Sequence, residues 1–165
     1  MTDLPSDLMT RLQPLDLMAR RRTVAMDALS AKPRFTPGSK FEYTNFGYVI
    51  VGAIIEQATG RLWEEELKAR VFDPLDMASC GFGPTAMGDD RSQPWAHADQ
   101  GETFVPIELD NPPFLGPAGT VHCNLQDWGQ FAAVFFDGAR FVSADSLDRL
   151  TSPVPKGDGQ GGGYA

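Results

Sequence analysis

The chain has 165 residues, of which 14 are basic and 22 acidic, so its formal net charge at pH 7 is −8. Hydrophobic residues make up 42% of it, which excludes a disordered, solvating tail and allows one domain with a proper core. The acidic balance argues against nucleic acid as a partner, because phosphate binding needs clustered lysine and arginine. We therefore expect a single domain over residues 1–165.

No stretch reaches the roughly 18 apolar residues that a membrane span requires. The longest apolar run, Tyr48 to Ile55, is interrupted by Gly52. The N-terminus also lacks the charged start and apolar stretch of a secretory signal. We expect no transmembrane segment, and cytoplasmic and periplasmic locations both stay open because an upstream part would carry any signal.

The first 30 residues predict an irregular segment followed by a helix. Residues 1–14 hold two prolines and are expected to be irregular. Residues 16–30 predict a helix, which Pro33 ends because the residue before a proline is pushed out of the helical region. The basic run inside it, Arg20 to Arg22, is typical of a solvated helix face.

The segment from Gly47 to Thr59 predicts a buried helix, because its apolar residues run nearly all the way round. Gly60 supplies the stop signal. A second helix is predicted over 62–72, closed by Asp73 and Pro74. Its outer face offers two Glu-to-Lys/Arg pairs at i, i+4 spacing, Glu64/Lys68 and Glu66/Arg70.

Residues 78–117 show no sustained helical period, and 102–109 form one short strand-like run broken by Pro106. So long a loop is expected to cover a surface or border a site. Asn124 then predicts a helix N-cap, with Asp127 three residues on. A last short helix is predicted after Ser143, ending near Ser152.

The remaining motifs predict no cofactor and no metal site. Cys80 and Cys123 cannot make a disulfide framework and show no metal-ligand spacing, so both are interpreted as small buried or half-buried residues. The spelling Gly-x-Gly-x-x-Gly over 157–162 follows no strand and opens no helix, which discards it as a dinucleotide site. His97 and His122 are far apart in sequence and are interpreted as ordinary loop or helix-entry histidines.

One ordered series of motifs carries chemistry. It consists of a Pro-Gly turn, an aromatic residue, Tyr-x-Asn, a Gly-Tyr helix start, a Thr-Gly helix end and a Pro-Leu-x-Met turn: Pro37-Gly38, Phe41, Tyr43-Thr44-Asn45, Gly47-Tyr48, Thr59-Gly60 and Pro74-Leu75-Asp76-Met77. Downstream, Gly116-Pro117-Ala118-Gly119 leads into the helix start at Asn124. The series resembles the serine β-lactamase-related family of class C β-lactamases, DD-peptidases, esterases and D-aminopeptidases, most strongly over residues 33–153, with 154–165 a truncated glycine-rich tail.

Tyr43 and Asn45 are the candidate site residues. Two residues apart in an extended loop, their side chains are predicted to point to the same side. A phenol held near a cation can move a proton to and from a nucleophilic serine, and a carboxamide both donates to and accepts from a substrate amide or ester. By the resemblance, Tyr43 is the catalytic acid–base partner and Asn45 the substrate-binding group. A turn before the helix is the simpler alternative for both.

The family's Ser-x-x-Lys nucleophile motif is absent, because none of the lysines follows a serine at that spacing: Lys32, Lys40, Lys68 and Lys156. No Lys-Thr-Gly or His-x-Gly triplet occurs either. We therefore expect part of a serine hydrolase that acts on amide or ester bonds through an acyl-enzyme, inactive as this isolated chain. A non-enzymatic binding or interaction module derived from the family is the alternative.

The resemblance implies an α+β fold, represented here mainly by the helical portion of a β-lactamase/penicillin-binding-protein-like architecture with few short strands. If the nucleophile helix and the sheet are absent, the apolar helix over 47–59 should keep an unusually exposed side. The substrate and the oligomeric state are not indicated by the sequence.

Overall fold

Two 14-residue helices, α2 (Leu17–Ser30) and α3 (Phe46–Thr59), pack against each other and form the body of the molecule. The computed structural model describes residues 7–39, 42–136 and 141–152. The α2 helix begins where the Asp16 side chain accepts the backbone N–H of Ala19 at 2.8 Å. The α3 helix ends at Gly60, whose φ of 70° lies in the left-handed region that glycine adopts without steric cost.

Shorter elements surround this pair. The helices are α1 (Leu8–Leu12), α4 (Trp63–Leu67), α5 (Gly116–Gly119), α6 (Leu125–Ala133) and α7 (Ala144–Thr151). A π-helical turn (Lys68–Phe72) and a 3-10 turn (Asp73–Leu75) continue α4, and another 3-10 turn (Pro113–Leu115) precedes α5. The strands are β1 (Gly81–Phe82), β2 (Ala96–Asp99), β3 (Phe104–Ile107) and β4 (Val121–His122). The predicted α+β fold, mainly helical with few short strands, is confirmed.

The strands form two antiparallel pairs. In the first, Gly81 lies opposite His122, so β1 and β4 join segments about 40 residues apart in sequence. In the second, β2 and β3 form a hairpin in which His97 lies opposite Pro106. Proline fits there because a two-stranded pair consists of edge strands only.

The hydrophobic core lies where α1, α2, α3 and the turn before α5 meet. Its buried members are Leu8, Leu12, Val24, Val49, Phe114 and Leu115. The turn before α5 lies about 90 residues from α2 in sequence, and its Phe114 is buried against that helix pair. Closure of this core therefore joins the two halves of the chain.

Most predicted helices form within a residue or two of their expected bounds, but two local predictions are wrong. Residues 8–12 form α1 instead of irregular chain, because Leu8 and Leu12 lie one turn apart and enter the core together. The segment 62–72 is not one α-helix, since its second half is a π-helical turn. Residues 1–6, Lys40, Phe41, 137–140 and the glycine-rich tail from 153 lie outside the described residues.

The cysteines are the clearest correction. The sequence predicts two small buried or half-buried residues without a disulfide framework. Both are half-buried, but Cys80 and Cys123 form a disulfide across 43 residues of sequence. The cysteines directly extend the β1–β4 register, in which Gly81 lies opposite His122. Sequence spacing does not reveal this, because pairing of two distant strands creates the proximity.

One side of α3 is uncovered, as expected. Tyr48 is 61% exposed, Val51 50% and Ile54 62%, whereas Val49 and Gly52 on the opposite side are buried. None of the helices in the described part of the chain has the length and apolar character that a membrane crossing requires.

Candidate functional site

The side chains of Tyr43 and Asn45 meet directly before α3. The Tyr43 hydroxyl donates a hydrogen bond of 2.9 Å to Asn45 Oδ1. The two side chains therefore lie on the same side of the chain, as their spacing predicts. A phenol and a carboxamide share one small polar surface.

The start of α3 fixes Asn45. Its backbone carbonyl accepts the N–H groups of Tyr48 at 3.2 Å and Val49 at 3.3 Å, which makes it the N-cap residue. Its side chain makes no capping bond, and Thr44 Oγ1 instead accepts the Phe46 N–H at 3.2 Å. The carboxamide is therefore directed to Tyr43 and not consumed by the helix end.

The Tyr43–Asn45 pair lies on an open surface. Tyr43 is 64% exposed, and Asn45 is half-buried. A cavity of about 390 Å³ lies between α1, α2 and the turn before α5, and its lining includes Leu12, Arg20 and Phe114. Neither Tyr43 nor Asn45 belongs to that lining. The exposure of Tyr43 leaves the pair accessible from solvent.

The cation closest to Tyr43 along the described chain is already paired. Arg34 forms an ion pair with Glu42, the residue before Tyr43, and both side chains are exposed. Lys40 lies outside the described residues. The sequence-derived role of Tyr43 needs a cation near the phenol, and the Arg34 charge is balanced by Glu42.

The helix that carries Asn45 is held by a buried ion cluster that the sequence analysis missed. Arg21 of α2 is 0% exposed and pairs with Glu56 of α3 and Glu64 of α4. Its Nη1 donates to Glu64 Oε2 at 2.8 Å, and its Nη2 donates to the Pro113 carbonyl at 2.8 Å. One guanidinium therefore joins α2, α3, α4 and the turn before α5.

The electrostatics of this cluster favour the charged state. Burial by itself lowers the pKa of Arg21, but hydrogen bonds and charge attraction from Glu64 and Glu56 outweigh it, so the pKa is raised above its ordinary value. The interpretation of Arg20 to Arg22 as a solvated face is therefore wrong for Arg21, and Arg20 is half-buried while Arg22 is exposed. The expected Glu64/Lys68 pair does not form either, since Glu64 binds Arg21 and Lys68 binds Asp73 at 2.6 Å.

Each of the two histidines contacts the backbone of a nearby strand or loop. His97 Nδ1 lies 3.0 Å from the Trp95 carbonyl oxygen, and the His122 ring lies directly over Gly81. Among the residues that the structure describes, no three His, Cys, Asp or Glu side chains are grouped so that they could hold a metal ion.

With this geometry in place, comparison with known proteins decides the family. The family model described as Beta-lactamase matches residues 6–165. The chain belongs to the beta-lactamase family. Its members are serine hydrolases of the acyl-enzyme type, which agrees with the ordered motifs that surround Tyr43 and Asn45.

Individual relatives agree with this assignment. A D-aminopeptidase of Brucella abortus is 31% identical over 129 residues, which cover 76% of this chain and 23% of the relative. The crystal structure of a D-stereospecific amidohydrolase from Streptomyces sp. is 25% identical with a TM-score of 0.64, over 77% of this chain and 38% of that chain. The octameric penicillin-binding protein homologue from Pyrococcus abyssi shares the fold, with 23% identity and a TM-score of 0.67 over 83% of this chain and 30% of that chain.

The matched region is a minor part of these proteins. The chain spans between 23% and 30% of the length of the first curated relatives it matches. What the whole relatives do therefore rests also on residues outside the matched region.

Proposed function

We propose that this chain supplies Tyr43 and Asn45 to the active site of a serine hydrolase that cleaves amide or ester bonds through an acyl-enzyme. The observation that carries the proposal is the Tyr43–Asn45 hydrogen bond at the entrance to α3, within a chain of the beta-lactamase family. Tyr43 would transfer a proton to and from the nucleophilic serine, and Asn45 would bind the substrate carbonyl or N–H.

Amide substrates are the favoured class within this proposal. Two of the relatives are named for such chemistry, a D-aminopeptidase and a D-stereospecific amidohydrolase. The Asn45 carboxamide complements an amide group, since it both donates and accepts hydrogen bonds. A free phenol alone does not cleave an amide, so the proposal requires a serine nucleophile positioned beside Tyr43 in the whole protein.

The 165-residue chain itself is proposed to be inactive. It has no Ser-x-x-Lys motif, and the described residues leave the Tyr43–Asn45 pair on an open surface. Incubation with a chromogenic β-lactam, an activated ester and a D-amino acid p-nitroanilide is expected to give neither turnover nor a stoichiometric burst. Turnover that Tyr43→Phe abolishes would contradict this expectation.

The coding DNA on both sides of the reading frame offers a direct test of the whole-protein function. An in-frame Ser-x-x-Lys upstream and Lys-Thr-Gly or His-x-Gly downstream would support it. In the protein so extended, Tyr43→Phe should lower the acylation rate by about 10²–10⁴-fold, the usual contribution of a positioned acid–base group. The matched control is Tyr48→Phe, which removes a hydroxyl from the exposed side of α3.

The non-enzymatic alternative makes the opposite prediction. A binding module would lack those flanking motifs, and Tyr43→Phe would change no rate in any extended protein. The uncovered apolar side of α3, with Tyr48, Val51 and Ile54 exposed, supports this alternative because it could bind a partner.

A further inference from the structure

The disulfide sits at the junction through which α6 joins the rest of the molecule. Gly83 N–H donates to the Thr120 carbonyl at 2.9 Å, and Gly81 lies opposite His122 in the same register. Continuing that register places Cys80 and Cys123 directly opposite each other, with their Cα atoms 4.2 Å apart. This matches the close approach at a non-hydrogen-bonded position of an antiparallel pair.

A second attachment lies beside the disulfide. Ser79 donates to Asp127 Oδ2 twice, from its backbone N–H and from its hydroxyl, each at 2.7 Å. The Asn124 N–H donates to Ser79 Oγ at 3.0 Å, and the Asn124 side chain accepts the Asp127 N–H at 2.8 Å. The first turn of α6 is therefore held to residues 79–80 by one covalent bond and by a buried carboxylate.

The rest of α6 has little cover. Asp127 is the one buried residue of α6 in the described chain. Leu125 is 88% exposed, and Phe136, just beyond the end of the helix, is 91% exposed. Its rings pack mainly on one another, with Phe131 5.6 Å from Trp128 and 5.5 Å from Phe135. The α6 helix also contacts the 3-10 turn Asp73–Leu75, so the attachment at its first turn adds to a small packing contact.

The main core does not include this junction. Its buried cluster comprises residues of α1, α2, α3 and the turn before α5, and none from β1, β4 or α6. A change at the junction can thus release α6 while the core stays closed, which is the condition for local rather than global unfolding.

We propose that the Cys80–Cys123 disulfide is a redox-controlled latch on α6 and its aromatic surface. A dithiol reductant attacks one sulfur as a thiolate, forms a mixed disulfide and is released as a cyclic disulfide. The Cys80–Cys123 bond breaks, two electrons pass to its sulfurs, and each sulfur takes up one proton. Both cysteines are partly exposed, so a small dithiol has access to the bond.

Reduction leaves α6 attached through the hydrogen bonds of Ser79 and Asp127 and through its contact with the 3-10 turn Asp73–Leu75. The lost cross-link had closed a 43-residue segment, and its removal returns conformational freedom to the open state. The reduced latch therefore opens more often, and the Trp128–Phe135 ring surface separates from the body.

Hydrogen exchange of the full 165-residue chain with and without dithiothreitol tests the latch. Thiol titration of the purified, oxidised protein should find no free thiol, and the reduced protein should have two. On reduction, exchange over 121–136 should accelerate by at least about tenfold, while 46–59 in α3 stays unchanged. Free thiols in the oxidised protein, unchanged exchange over 121–136, or equal acceleration in α3 would each overturn the proposal.

Variants separate the two attachments. The double variant Cys80→Ser/Cys123→Ser should match the reduced wild type and no longer respond to dithiothreitol. Ser79→Ala removes the hydroxyl bonds to Asp127 and Asn124 and keeps the backbone N–H bond to Asp127. It should accelerate exchange of α6 strongly in the reduced protein and weakly in the oxidised one, since the disulfide still holds the junction there. Equal effects in both redox states would contradict the latch. If the double variant does not fold, the comparison of oxidised and reduced wild type still decides.

Discussion

At the residue scale, neighbouring arginines of one basic run have different surroundings. Arg21 is buried among Glu56, Glu64 and two carbonyl groups, while Arg22 next to it points outward. On an α-helix, adjacent residues lie about 100° apart, so one faces the core and the next faces water. The identity of the residue does not decide which of them is buried.

Replacing the buried arginine should be costly. We expect Arg21→Met to destabilise the fold by about 3–5 kcal/mol, because it leaves Glu56 buried without its countercharge. The matched change Arg22→Met should stay within about 0.5 kcal/mol. Urea unfolding followed by circular dichroism measures both, and equal effects would show that the ion cluster does not stabilise the packing of α2 on α3.

A second residue gives the stability a pH dependence. Glu66 is buried, accepts a hydrogen bond from Arg70 and forms an ion pair with Arg61 at 2.9 Å. The hydrogen bond from Arg70, with the two positive charges, lowers the pKa of Glu66 below its ordinary 4.5. This confirms the predicted Glu66/Arg70 pair.

The sign of the effect follows from linkage. A carboxyl with a lowered pKa in the folded state stabilises the protein above pH 4.5, and this contribution disappears as the pH falls through the folded-state pKa. Between about pH 5 and 3, the wild type should therefore lose more stability than Glu66→Gln. Glu65→Gln is the control, since Glu65 is exposed and 3.5 Å from Arg61. Parallel pH profiles for wild type and Glu66→Gln would contradict the assignment.

At the element scale, α3 and α5 approach so closely that one position must be glycine. A Cβ at Gly52 would collide with the Pro117 ring, whereas a Cβ at Gly47, in the first turn of the same helix, meets nothing within 4 Å. This contact joins the two segments of the family motif series, Gly47 to Thr59 and Gly116 to Gly119.

The two glycines should respond oppositely to alanine. Gly52→Ala is expected to destabilise the fold by about 1–3 kcal/mol through overpacking, despite the better helix propensity of alanine. Gly47→Ala should be neutral or stabilise by up to about 1 kcal/mol. Thermal unfolding of both variants checks this, and a stabilised Gly52→Ala would mean that α5 moves away at little cost.

At the scale of the whole molecule, the described chain buries one core and leaves apolar surface elsewhere. The exposed side of α3 and the ring surface of α6 are apolar patches formed by several neighbouring side chains and not by single surface residues. We expect such surface to bind apolar dyes in the folded state.

The exposed side of α3 can be changed without touching the core. Val51→Lys combined with Ile54→Lys should leave the free energy of unfolding within about 0.5 kcal/mol and reduce fluorescence of bound anilinonaphthalene sulfonate. Val49→Lys, on the buried side, should prevent folding. If the double lysine variant unfolds instead, α3 is covered on both sides and its exposure is smaller than described.

The sequence by itself determined the long helices α2 and α3, the helices α6 and α7, and the family. Asp16, Asn124 and Ser143 each accept the N–H three residues on, and Gly60 ends α3. These signals are local, so the sequence alone reveals them. The shared direction of Tyr43 and Asn45 is local as well, because it depends only on a two-residue spacing.

Only the tertiary structure decided the burial of Arg21, the pairing of the cysteines and the close approach of Pro117 to Gly52. Each brings together residues at least 35 positions apart: Arg21 with Glu56, Cys80 with Cys123, and Gly52 with Pro117. Local propensity carries no information on such pairs, since they form only when distant segments pack together. Two of them need α2, α3, α5 and the turn before it to close around the core, and the disulfide needs β1 to pair with β4. Tertiary packing also explains α1, which is stabilised as a helix because Leu8 and Leu12 are buried in the main core.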